Sequence, residues 1–446
     1  MQLSAVAELL KGELFGDDAS FNTVTINTRA MHDGDLYVAI KGLNFDGVDF
    51  VEAAGVNGAA GAIVEKLTET ALPQVLVKDA KVALGQLAQL NRRQSGAAVV
   101  GITGSQGKTT VKEMLGQILT LAADTLVTKG NLNNEIGVPL TLLEIENTHG
   151  YGVIEMGANH AGEIGYCVKL VEPNIAVITN AARVHIEGFK SLEGVAKAKG
   201  EIIDGVPISG TVVLNADDQY FEKWKKRAGQ RKVVCFSLRR LDVEYFATEI
   251  RTSPSAKVNF KLKAKKENRQ VKLQLLGKHN VNNAIAAAAV AMEVGATFDQ
   301  VITGLSKVKP VKGRLCPRRG INQGSLIDDS YNASPGSFQA AIDVLAEFEG
   351  TKILVMGDMA ELGDESVTAH EELGKYASNA GIDQLLGVGE YTAHSAVSFG
   401  AGASHYDSKN ELIEKCISAM SSDTTVLIKG SRSAGMNEVV EALTVS

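Results

Sequence analysis

The sequence predicts an α/β protein of three domains, and three observations support that prediction. Its 446 residues suggest about three domains when length is taken as a soft guide. Short runs rich in β-branched residues alternate with helical stretches, as in parallel sheets covered by helices. A glycine-rich segment, residues 103–110, lies between a predicted strand and a predicted helix. We therefore expect a small α/β domain over residues 1–80, a central domain with a mostly parallel sheet over 81–312, and a doubly wound, Rossmann-like domain over 313–446.

The composition is that of an ordinary globular protein, with 45% hydrophobic and 22% charged residues. The net charge of −7 provides no general attraction to nucleic acid or to an anionic membrane. No apolar run reaches the ~20 residues of a membrane-spanning helix, and the first residues lack the basic start of a secretory signal. Four scattered cysteines indicate reduced thiols rather than disulfides or a zinc site. We expect a cytoplasmic monomer with no nucleic-acid partner and no membrane insertion.

The first domain combines short predicted strands with one helix. The strands are predicted at residues 24–29, 34–42, 61–65 and 74–77, and the helix at 50–57. Arg29, Lys41 and Asp46 lie next to the turns, where binding groups are common. For each of these residues taken alone, a solvated surface charge is an equally good explanation.

The central domain opens with an apolar strand over residues 97–102 and the loop Thr103-Gly104-Ser105-Gln106-Gly107-Lys108-Thr109-Thr110. A strand, a glycine loop and a helix in this order are what a phosphate-binding loop requires, because glycines let N–H groups face an anion and the helix N-terminus adds positive charge. Lys108 supplies a full charge, and Thr109 offers a hydroxyl to Mg²⁺. Ile102 occupies the position of the usual first glycine, so the match is not literal. The loop predicts a bound nucleotide without specifying the reaction.

Polar side chains follow the next predicted strands of the central domain, at residues 125–128, 151–156, 175–179 and 211–215. Glu155 ends its strand, and a carboxylate beside bound phosphates is well placed to hold Mg²⁺. His185 lies in a loop after a strand, where a structural role and a metal or phosphate contact are equally plausible. Residue chemistry alone makes Lys199 an ordinary solvated helix lysine.

The end of the central domain changes pattern. Apolar and lysine residues alternate over 257–263, and apolar residues alternate again over 271–275 after a polar turn. This pattern predicts an antiparallel extension of the sheet with one solvated face. His279, Asn280 and Asn283 then cluster at the start of a helix, and capping explains only one of them, so a contact with a base or substrate is plausible.

The third domain repeats the pattern of strands followed by polar groups. Its strands are predicted at residues 325–330, 352–358, 384–389 and 425–432, with helices between them. No glycine fingerprint of a dinucleotide site follows the first strand. Polar residues collect at the strand ends, which suggests that one face of this domain binds a ligand; they are Asp329, Tyr331, Asn332, Asp358, Lys429 and Arg432.

These motifs together resemble the Mur ligases, ATP-dependent enzymes that form amide bonds in the peptide stem of peptidoglycan. The resemblance rests on the loop 103–110, on Gly-Lys-His-Asn-Val-Asn-Asn-Ala at 277–284, and on Gly313-Arg314 followed by Asp-Asp-Ser-Tyr-Asn-Ala at 328–333. It spans essentially the whole chain. Residues 129–140, 156–160, 356–363 and 429–432 resemble most the member that joins D-alanyl-D-alanine to UDP-N-acetylmuramoyl-tripeptide.

The resemblance implies a role for each candidate residue. The residues implied to bind the UDP end of the substrate are Arg29, Lys41, Gly42, Asp46 and Asn134; those implied to bind ATP are Thr103 to Thr110, His279, Asn280, Asn283, Arg314 and Asp329; those implied to contact the dipeptide are Asn332, Lys429 and Arg432. Lys108, Glu155, His185 and Lys199 are implied to be catalytic. Mg²⁺ is implied to be held by Thr109, Glu155, His185 and a carbamylated Lys199.

Other functions remain open on the sequence alone. A P-loop kinase or ATPase would transfer phosphate without forming an amide, and a nucleotide-binding scaffold would not turn over. Sister ligases add a single amino acid, and folylpolyglutamate ligases share the architecture. Arg29 and the Gly34-Asp35 pair resemble the UDP-sugar domain and favour a peptidoglycan ligase.

Overall fold

The computed structural model describes residues 1–42 and 44–445. They form two compact units, each built from more than one stretch of chain. The first unit comprises 1–101, 123–158 and 163–174, and the second comprises 102–122, 159–162 and the chain from 175 onward. Among the described residues, no helix combines the length and the apolar character that crossing a membrane requires. The domain boundaries expected at residues 80 and 312 stay predictions.

The N-terminal part of the first unit is a five-stranded sheet with helices packed against it. Its strands are β1 (Glu13–Phe15), β2 (Val24–Thr25), β3 (Leu36–Val38), β4 (Gly61–Val64) and β5 (Gln74–Leu76), and its helices are α1 (Leu3–Leu10), α2 (Val51–Val56) and α3 (Ala80–Gln94). The strand order is β1-β5-β4-β3-β2, with β1 antiparallel to β5 and the other neighbours parallel. Leu3 and Val6 of α1 share a core with Leu36 and Val38 of β3.

All four strands predicted in this part are present, and each is shorter than predicted. The predicted strand 24–29 ends at Thr25, because the side chain of Asn27 accepts a hydrogen bond from Arg29 N and starts a 3₁₀ turn over Thr28–Ala30. A second 3₁₀ turn, Gly47–Phe50, precedes α2. The sequence patterns did not predict α1 and β1, which span only eight and three residues.

The middle of the chain supplies strands and helices in alternation. The strands are β6 (Ala98–Thr103), β7 (Thr125–Val127), β8 (Tyr151–Glu155), β9 (Ile175–Ile178), β10 (Thr211–Asn215), β11 (Lys232–Ser237), β12 (Tyr245–Thr252), β13 (Lys257–Ala264) and β14 (Glu267–Leu276). The helices are α4 (Lys108–Leu119), α5 (Gly137–Leu143), α6 (Glu163–Val171), α7 (Ile186–Phe189), α8 (Leu192–Lys199), α9 (Phe221–Ala228), α10 (His279–Glu293) and α11 (Phe298–Lys307), with a 3₁₀ turn at Gly200–Gly205. All of the strands predicted here are present, while β11 and β12 were not predicted.

The two units hold different parts of this region. In the first unit β7 pairs parallel with β8. In the second unit β9, β10, β11 and β12 pair in parallel, and β12, β13 and β14 pair antiparallel. Residues of β13 alternate between buried and accessible, so the predicted antiparallel extension with one solvated face is confirmed.

The C-terminal part of the second unit is a six-stranded sheet with order β15-β16-β20-β17-β18-β19. Its strands are β15 (Cys316–Arg319), β16 (Ser325–Asp329), β17 (Thr351–Gly357), β18 (Gln384–Val388), β19 (Ala403–Tyr406) and β20 (Thr424–Lys429), and its helices are α12 (Pro335–Ala346), α13 (Ser366–Asn379), α14 (Thr392–Phe399), α15 (Lys409–Ala419) and α16 (Asn437–Leu443). Short 3₁₀ turns lie at Ile321–Gln323, Gly363–Glu365 and Arg432–Ala434. All strand pairs are parallel except β15 with β16.

The central strand β17 shows why this part is doubly wound. Leu354 and Met356 pack into the core that includes α12 and α13, whereas Ile353 and Val355 pack into the core that includes α15 and α16. Because successive side chains of a strand point to opposite faces, an unbroken apolar strand requires helices on both faces. The predicted fold is confirmed, with the antiparallel edge strand β15 and the parallel edge strand β19 as additions.

Candidate active site

The predicted phosphate-binding loop packs so closely against neighbouring segments that two of its positions have room only for glycine. Gly104 has φ +148° and Gly107 has φ +81°. A Cβ at Gly104 would clash with Thr179 Oγ1, and a Cβ at Gly107 would clash with Asn283 Oδ1. The two glycines are thus required both by their backbone conformation and by the close approach of the end of β9 and the start of α10.

Hydrogen bonds from the residues after β9 hold the loop in place. Asn180 O accepts from Ser105 N at 3.0 Å, and Asn180 Oδ1 accepts from Gln106 N at 3.0 Å. Thr179 Oγ1 donates to Gln106 O at 2.6 Å. Thr179, which makes the closest contact, was not singled out in the sequence.

Lys108, the first residue of α4, reaches back over the loop. Its Nζ donates to Gly104 O at 2.7 Å and to Ser105 O at 3.3 Å. Thr109 is buried directly after it. A lysine, backbone N–H groups and a helix N-terminus at one place form an arrangement that binds phosphate oxygens.

His185 and Lys199 lie near Lys108 in the same unit. Burial lowers the pKa of His185 below its ordinary value, and the charges of Lys108 and Lys199 lower it further. Glu361 opposes this shift, because its carboxylate is in hydrogen-bonding contact with His185 Nδ1 and favours the protonated ring. At neutral pH a depressed pKa favours the neutral imidazole, which is the form that binds metals.

Lys199 is not the solvated lysine that residue chemistry suggested. It is 1% exposed and its Nζ lies 5.3 Å from the centre of the Phe189 ring, whereas Lys197 two residues earlier is exposed. Burial of a lysine is costly unless partners stabilise it, and buried lysines change their chemistry readily. The burial distinguishes Lys199 from the exposed Lys197 and supports the role that the resemblance implies for Lys199.

The predicted metal ligands near the loop do not form a complete metal site by themselves. Within the described part of the chain, no group of three or more His, Cys, Asp and Glu side chains is arranged to hold a metal ion. Thr109 and His185 supply only neutral ligands. Mg²⁺ commonly uses one or two carboxylates and otherwise relies on substrate phosphates and water, so Mg²⁺ at this loop would need a carboxylate and the phosphates of a nucleotide besides these two ligands.

The start of α10 brings together the amides and the imidazole predicted to contact a base. Asn283 Nδ2 donates to Asn280 Oδ1 at 2.9 Å, and Asn280 Nδ2 donates to Leu276 O at 2.8 Å. Burial, with a smaller contribution from the charge of Lys429, lowers the pKa of His279 to about 4. The imidazole of His279 is therefore neutral at physiological pH, and Asn283 also faces the phosphate loop through Gly107.

The loops after β16 and β20 bring the third group of predicted residues together. Lys429 Nζ donates to Asp329 Oδ2 at 2.6 Å and to Asn332 O at 2.9 Å, and Lys429 is buried. Leu315 N donates to the other oxygen of Asp329 at 3.0 Å. Arg432 is exposed at the start of its 3₁₀ turn. The loop after β16 reaches the phosphate loop, because Gln106 Nε2 donates to Ser334 Oγ at 3.2 Å, a contact that the sequence did not reveal.

Glu155 lies in the first unit, at the end of β8. It is 1% exposed, and Asn133 Nδ2 donates to its Oε1 at 2.8 Å. The backbone N–H of Glu155 donates a hydrogen bond to Thr128 Oγ1 at 3.0 Å. The side chain is thus a buried, oriented carboxylate rather than an exposed charge at a strand end. Asn133 was not predicted, although it belongs to the asparagine-rich segment 129–140.

The residues predicted to bind the UDP end also lie in the first unit. Lys41 and Asp46 form an isolated antiparallel β-bridge, and Gly42 N donates to Phe45 O at 2.9 Å. Arg29 is exposed on its own 3₁₀ turn.

Two polar contacts in the first unit have structural roles. Asp46 accepts a hydrogen bond from Val48 N at 3.1 Å and caps the following turn. Asn134 accepts a hydrogen bond from Gly137 N at 2.8 Å and thereby orients the start of α5. The binding roles of these residues stay predictions.

Three family models match the chain. The Mur ligase family catalytic domain matches residues 20–99, the Mur ligase middle domain matches 102–291, and the Mur ligase glutamate ligase domain matches 313–432.

Individual relatives extend this similarity to full length. The UDP-N-acetylmuramoyl-tripeptide–D-alanyl-D-alanine ligase of Escherichia coli (strain K12) is 46% identical over 443 residues, which are 99% of this chain and 98% of that protein. A crystal structure of MurF from Acinetobacter baumannii is similar with a TM-score of 0.92 and 34% identity, covering 98% of this chain and 97% of that one. The ADP complex of MurF ligase from Thermotoga maritima is similar with a TM-score of 0.83 and 29% identity, covering 94% and 96%.

We predict that Gly104→Ala weakens nucleotide binding at least about tenfold, since the added Cβ forces the loop away from Thr179 and strains a positive φ. Isothermal titration with ADP measures the effect. Gly96→Ala is the matched control, because open space surrounds Gly96. Equal ADP affinity in Gly104→Ala and the parent would contradict the steric argument.

We predict that His279 makes the folded state less stable in acid. Its pKa of about 4 in the folded state is below its ordinary value of 6.5, so below pH 6.5 the unfolded chain takes up a proton that the folded chain does not, and stability falls down to pH 4. Between pH 7 and pH 5 the free energy of unfolding of His279→Gln should fall by about 1 kcal/mol less than that of the parent. The difference is kept this small because His279 is only partly buried. Urea unfolding at both pH values tests this, with surface His394→Gln as the control. An equal fall in unfolding free energy for His279→Gln and the parent would contradict the prediction.

Proposed function

The chain belongs to the Mur ligase family, and from that premise we propose that it joins D-alanyl-D-alanine to UDP-N-acetylmuramoyl-tripeptide at the expense of ATP. The observation that carries this proposal is the hydrogen bond between Gln106 and Ser334, which joins the phosphate loop to the loop after β16 in one unit. A ligase needs such an arrangement, because the activated carboxyl group and the attacking amine must come within ~3–3.5 Å of each other.

In this proposal the phosphate loop and its surroundings bind ATP, on which Mur ligases depend. Lys108 and the N–H groups of the loop hold the phosphates, and the neutral imidazole of His279 with the amides of Asn280 and Asn283 faces the adenine. The residues that complete the ATP site are Thr103, Gly104, Ser105, Gln106, Gly107, Thr109, Thr110, Arg314 and Asp329.

Thr109 and His185 would hold Mg²⁺, together with Lys199 once carbamylation has given it a carboxylate. The bound ion would neutralise charge that develops on the phosphoryl group during transfer. Lys199 is buried and close enough to His185 to affect its pKa, and both observations support this assignment. Carbamylation would replace the buried ammonium group by an anion that can pair with Mg²⁺. Glu155 lies in the other unit, and its contribution to the metal stays a prediction.

The chemistry follows from the nature of the substrate carboxylate, which is a poor acyl donor because its leaving group would be oxide. Transfer of the γ-phosphoryl group of ATP converts it into an acyl phosphate, and Lys108 stabilises the charge on the transferring group. The amine of D-alanyl-D-alanine then attacks the acyl carbon. The tetrahedral intermediate collapses with release of phosphate, so ADP, phosphate and the amide are the products.

The remaining substrate contacts divide between the units. Arg29, Lys41, Gly42, Asp46 and Asn134 of the first unit are proposed to bind the UDP end. Asn332 and Arg432 are proposed to bind the dipeptide, whereas Lys429 is engaged by Asp329 and acts on the dipeptide through the loop that it holds. We further propose that the protein is a cytoplasmic monomer, consistent with precursors that carry a UDP group.

We predict that release of ADP and phosphate requires both UDP-N-acetylmuramoyl-tripeptide and D-alanyl-D-alanine, because the amine must attack for the cycle to finish. A coupled ADP assay with each substrate omitted in turn measures this requirement. A kinase or ATPase would release ADP without the dipeptide. A sister ligase would work equally well with single L-amino acids and not with the dipeptide, and either outcome rejects the proposal.

We predict that Lys199→Ala lowers turnover about 100-fold and that added short carboxylic acids restore part of it, since they replace the carboxylate of the carbamate. Steady-state rates with and without acetate or formate measure the rescue. Lys197→Ala is the matched control, because Lys197 is exposed on the same helix. Full activity of Lys199→Ala without added acid contradicts the role.

A further inference from the structure

Tyr331 is an aromatic residue between two arginines that come from different parts of the chain. The guanidinium carbon of Arg314 lies 4.4 Å from the centre of the Tyr331 ring, and that of Arg432 lies 5.7 Å from it. Arg314 belongs to the segment before β15, Tyr331 to the loop after β16, and Arg432 to the 3₁₀ turn after β20. Distances of this size place both cations within reach of the electron-rich face of the ring.

Among the residues described, neither of these two arginines is held in an ion pair, although the charge of Arg314 acts on the carboxylate of Asp329. Lys429, the neighbouring cation, is neutralised by Asp329 at 2.6 Å. By contrast, Arg314 and Arg432 form no ion pair with any carboxylate in the residues that the structure describes. Arg432 is exposed and Arg314 is partly exposed. The cluster therefore presents two cations that are available to anionic groups from solution.

Backbone contacts hold the segment that carries the Tyr331 ring. Tyr331 N donates to Gly313 O at 3.1 Å, and a Cβ at Gly313, which has φ +77°, would approach Tyr331 Cβ to 3.0 Å. The next residue, Asn332, accepts a hydrogen bond from buried Lys429 at 2.9 Å. A tyrosine has few rotatable bonds, whereas each arginine must order a long side chain before it can bind.

We propose that Tyr331 is a positioning residue that orients Arg314 toward the phosphates of ATP and Arg432 toward the terminal carboxylate of the dipeptide. This inference rests on the proposed function and names the residues that recognise the carboxylate of the dipeptide. A guanidinium held over a ring keeps its in-plane N–H groups available, and these N–H groups match the two oxygens of a carboxylate or phosphate. D-alanyl-D-alanine must present its amine to the acyl carbon, so recognition falls to the carboxylate at its other end.

The experiment compares Tyr331→Leu, which removes the ring, with Tyr331→Phe, which keeps it. Steady-state kinetics with each substrate varied in turn gives KM and kcat. We expect Tyr331→Leu to raise KM for D-alanyl-D-alanine about three- to tenfold and KM for ATP by a smaller factor. KM for UDP-N-acetylmuramoyl-tripeptide should stay within twofold. In Tyr331→Phe, KM for the dipeptide and KM for ATP should stay at the values of the parent, because the interaction uses the face of the ring and not the hydroxyl.

A double-mutant cycle tests whether Tyr331 acts through Arg432. Adding Tyr331→Leu to Arg432→Ala should raise KM for the dipeptide by less than twofold further, since the group that the ring orients is already gone. Independent, multiplicative effects overturn the proposal. The preference of the parent for D-alanyl-D-alanine over D-alanyl-D-alaninamide should fall in Tyr331→Leu by the same factor as the KM effect.

Other outcomes also decide the question. The inference is wrong if Tyr331→Phe behaves like Tyr331→Leu, or if Tyr331→Leu lowers kcat with all KM values unchanged. Tyr331→Met has a similar volume without a ring and replaces the leucine variant if circular dichroism shows that the latter is unfolded. Failure of the parent enzyme to use D-alanyl-D-alanine rejects the proposed function itself and is distinguished from failure of the Tyr331 variants alone.

Discussion

The second unit depends on the close approach of the phosphate loop to the end of β9 and the start of α10. Gly104 and Gly107 leave no space for a side chain, because Thr179 and Asn283 occupy it. Asn180 then hydrogen-bonds to the loop through its backbone and its side chain. These contacts hold the loop at the carboxyl ends of the strands, where ligands of such sheets bind.

A buried ion pair has a comparable role in the C-terminal sheet. Lys429 and Asp329 join the ends of β20 and β16, and breaking a buried pair leaves an uncompensated charge that costs about 3–5 kcal/mol. Their pairing orders the loop that carries Tyr331 and Asn332 and removes Lys429 from competition for anions. Under the proposed function, Arg314 and Arg432 are then the cations that bind substrate. Separating a structural cation from the binding cations allows one small region to support both fold and recognition.

The sequence predicted the features that have a local physical cause. A strand, a glycine loop and a helix identify the phosphate site, and an unbroken apolar run such as β17 identifies a strand buried on both faces. Features decided by contacts between separate elements were not predicted: Lys199 of α8 is buried with its Nζ near the Phe189 ring of α7, and the partner of His185 is Glu361, 176 residues away. The edge strand β15 is short and contains Pro317, so its pattern gave no strand signal. The family resemblance supplied Lys199, which residue chemistry alone could not.

The hydrogen bonds of Lys108 to Gly104 O and Ser105 O have a consequence for the entropy of nucleotide binding. A free lysine side chain loses up to about 2 kcal/mol of rotamer freedom when it becomes ordered. In this loop much of that loss occurs when the protein folds, because carbonyl groups of the loop already hold the ammonium group. An arriving phosphate exchanges acceptors around an ordered cation, so more of the charge–charge attraction remains as affinity.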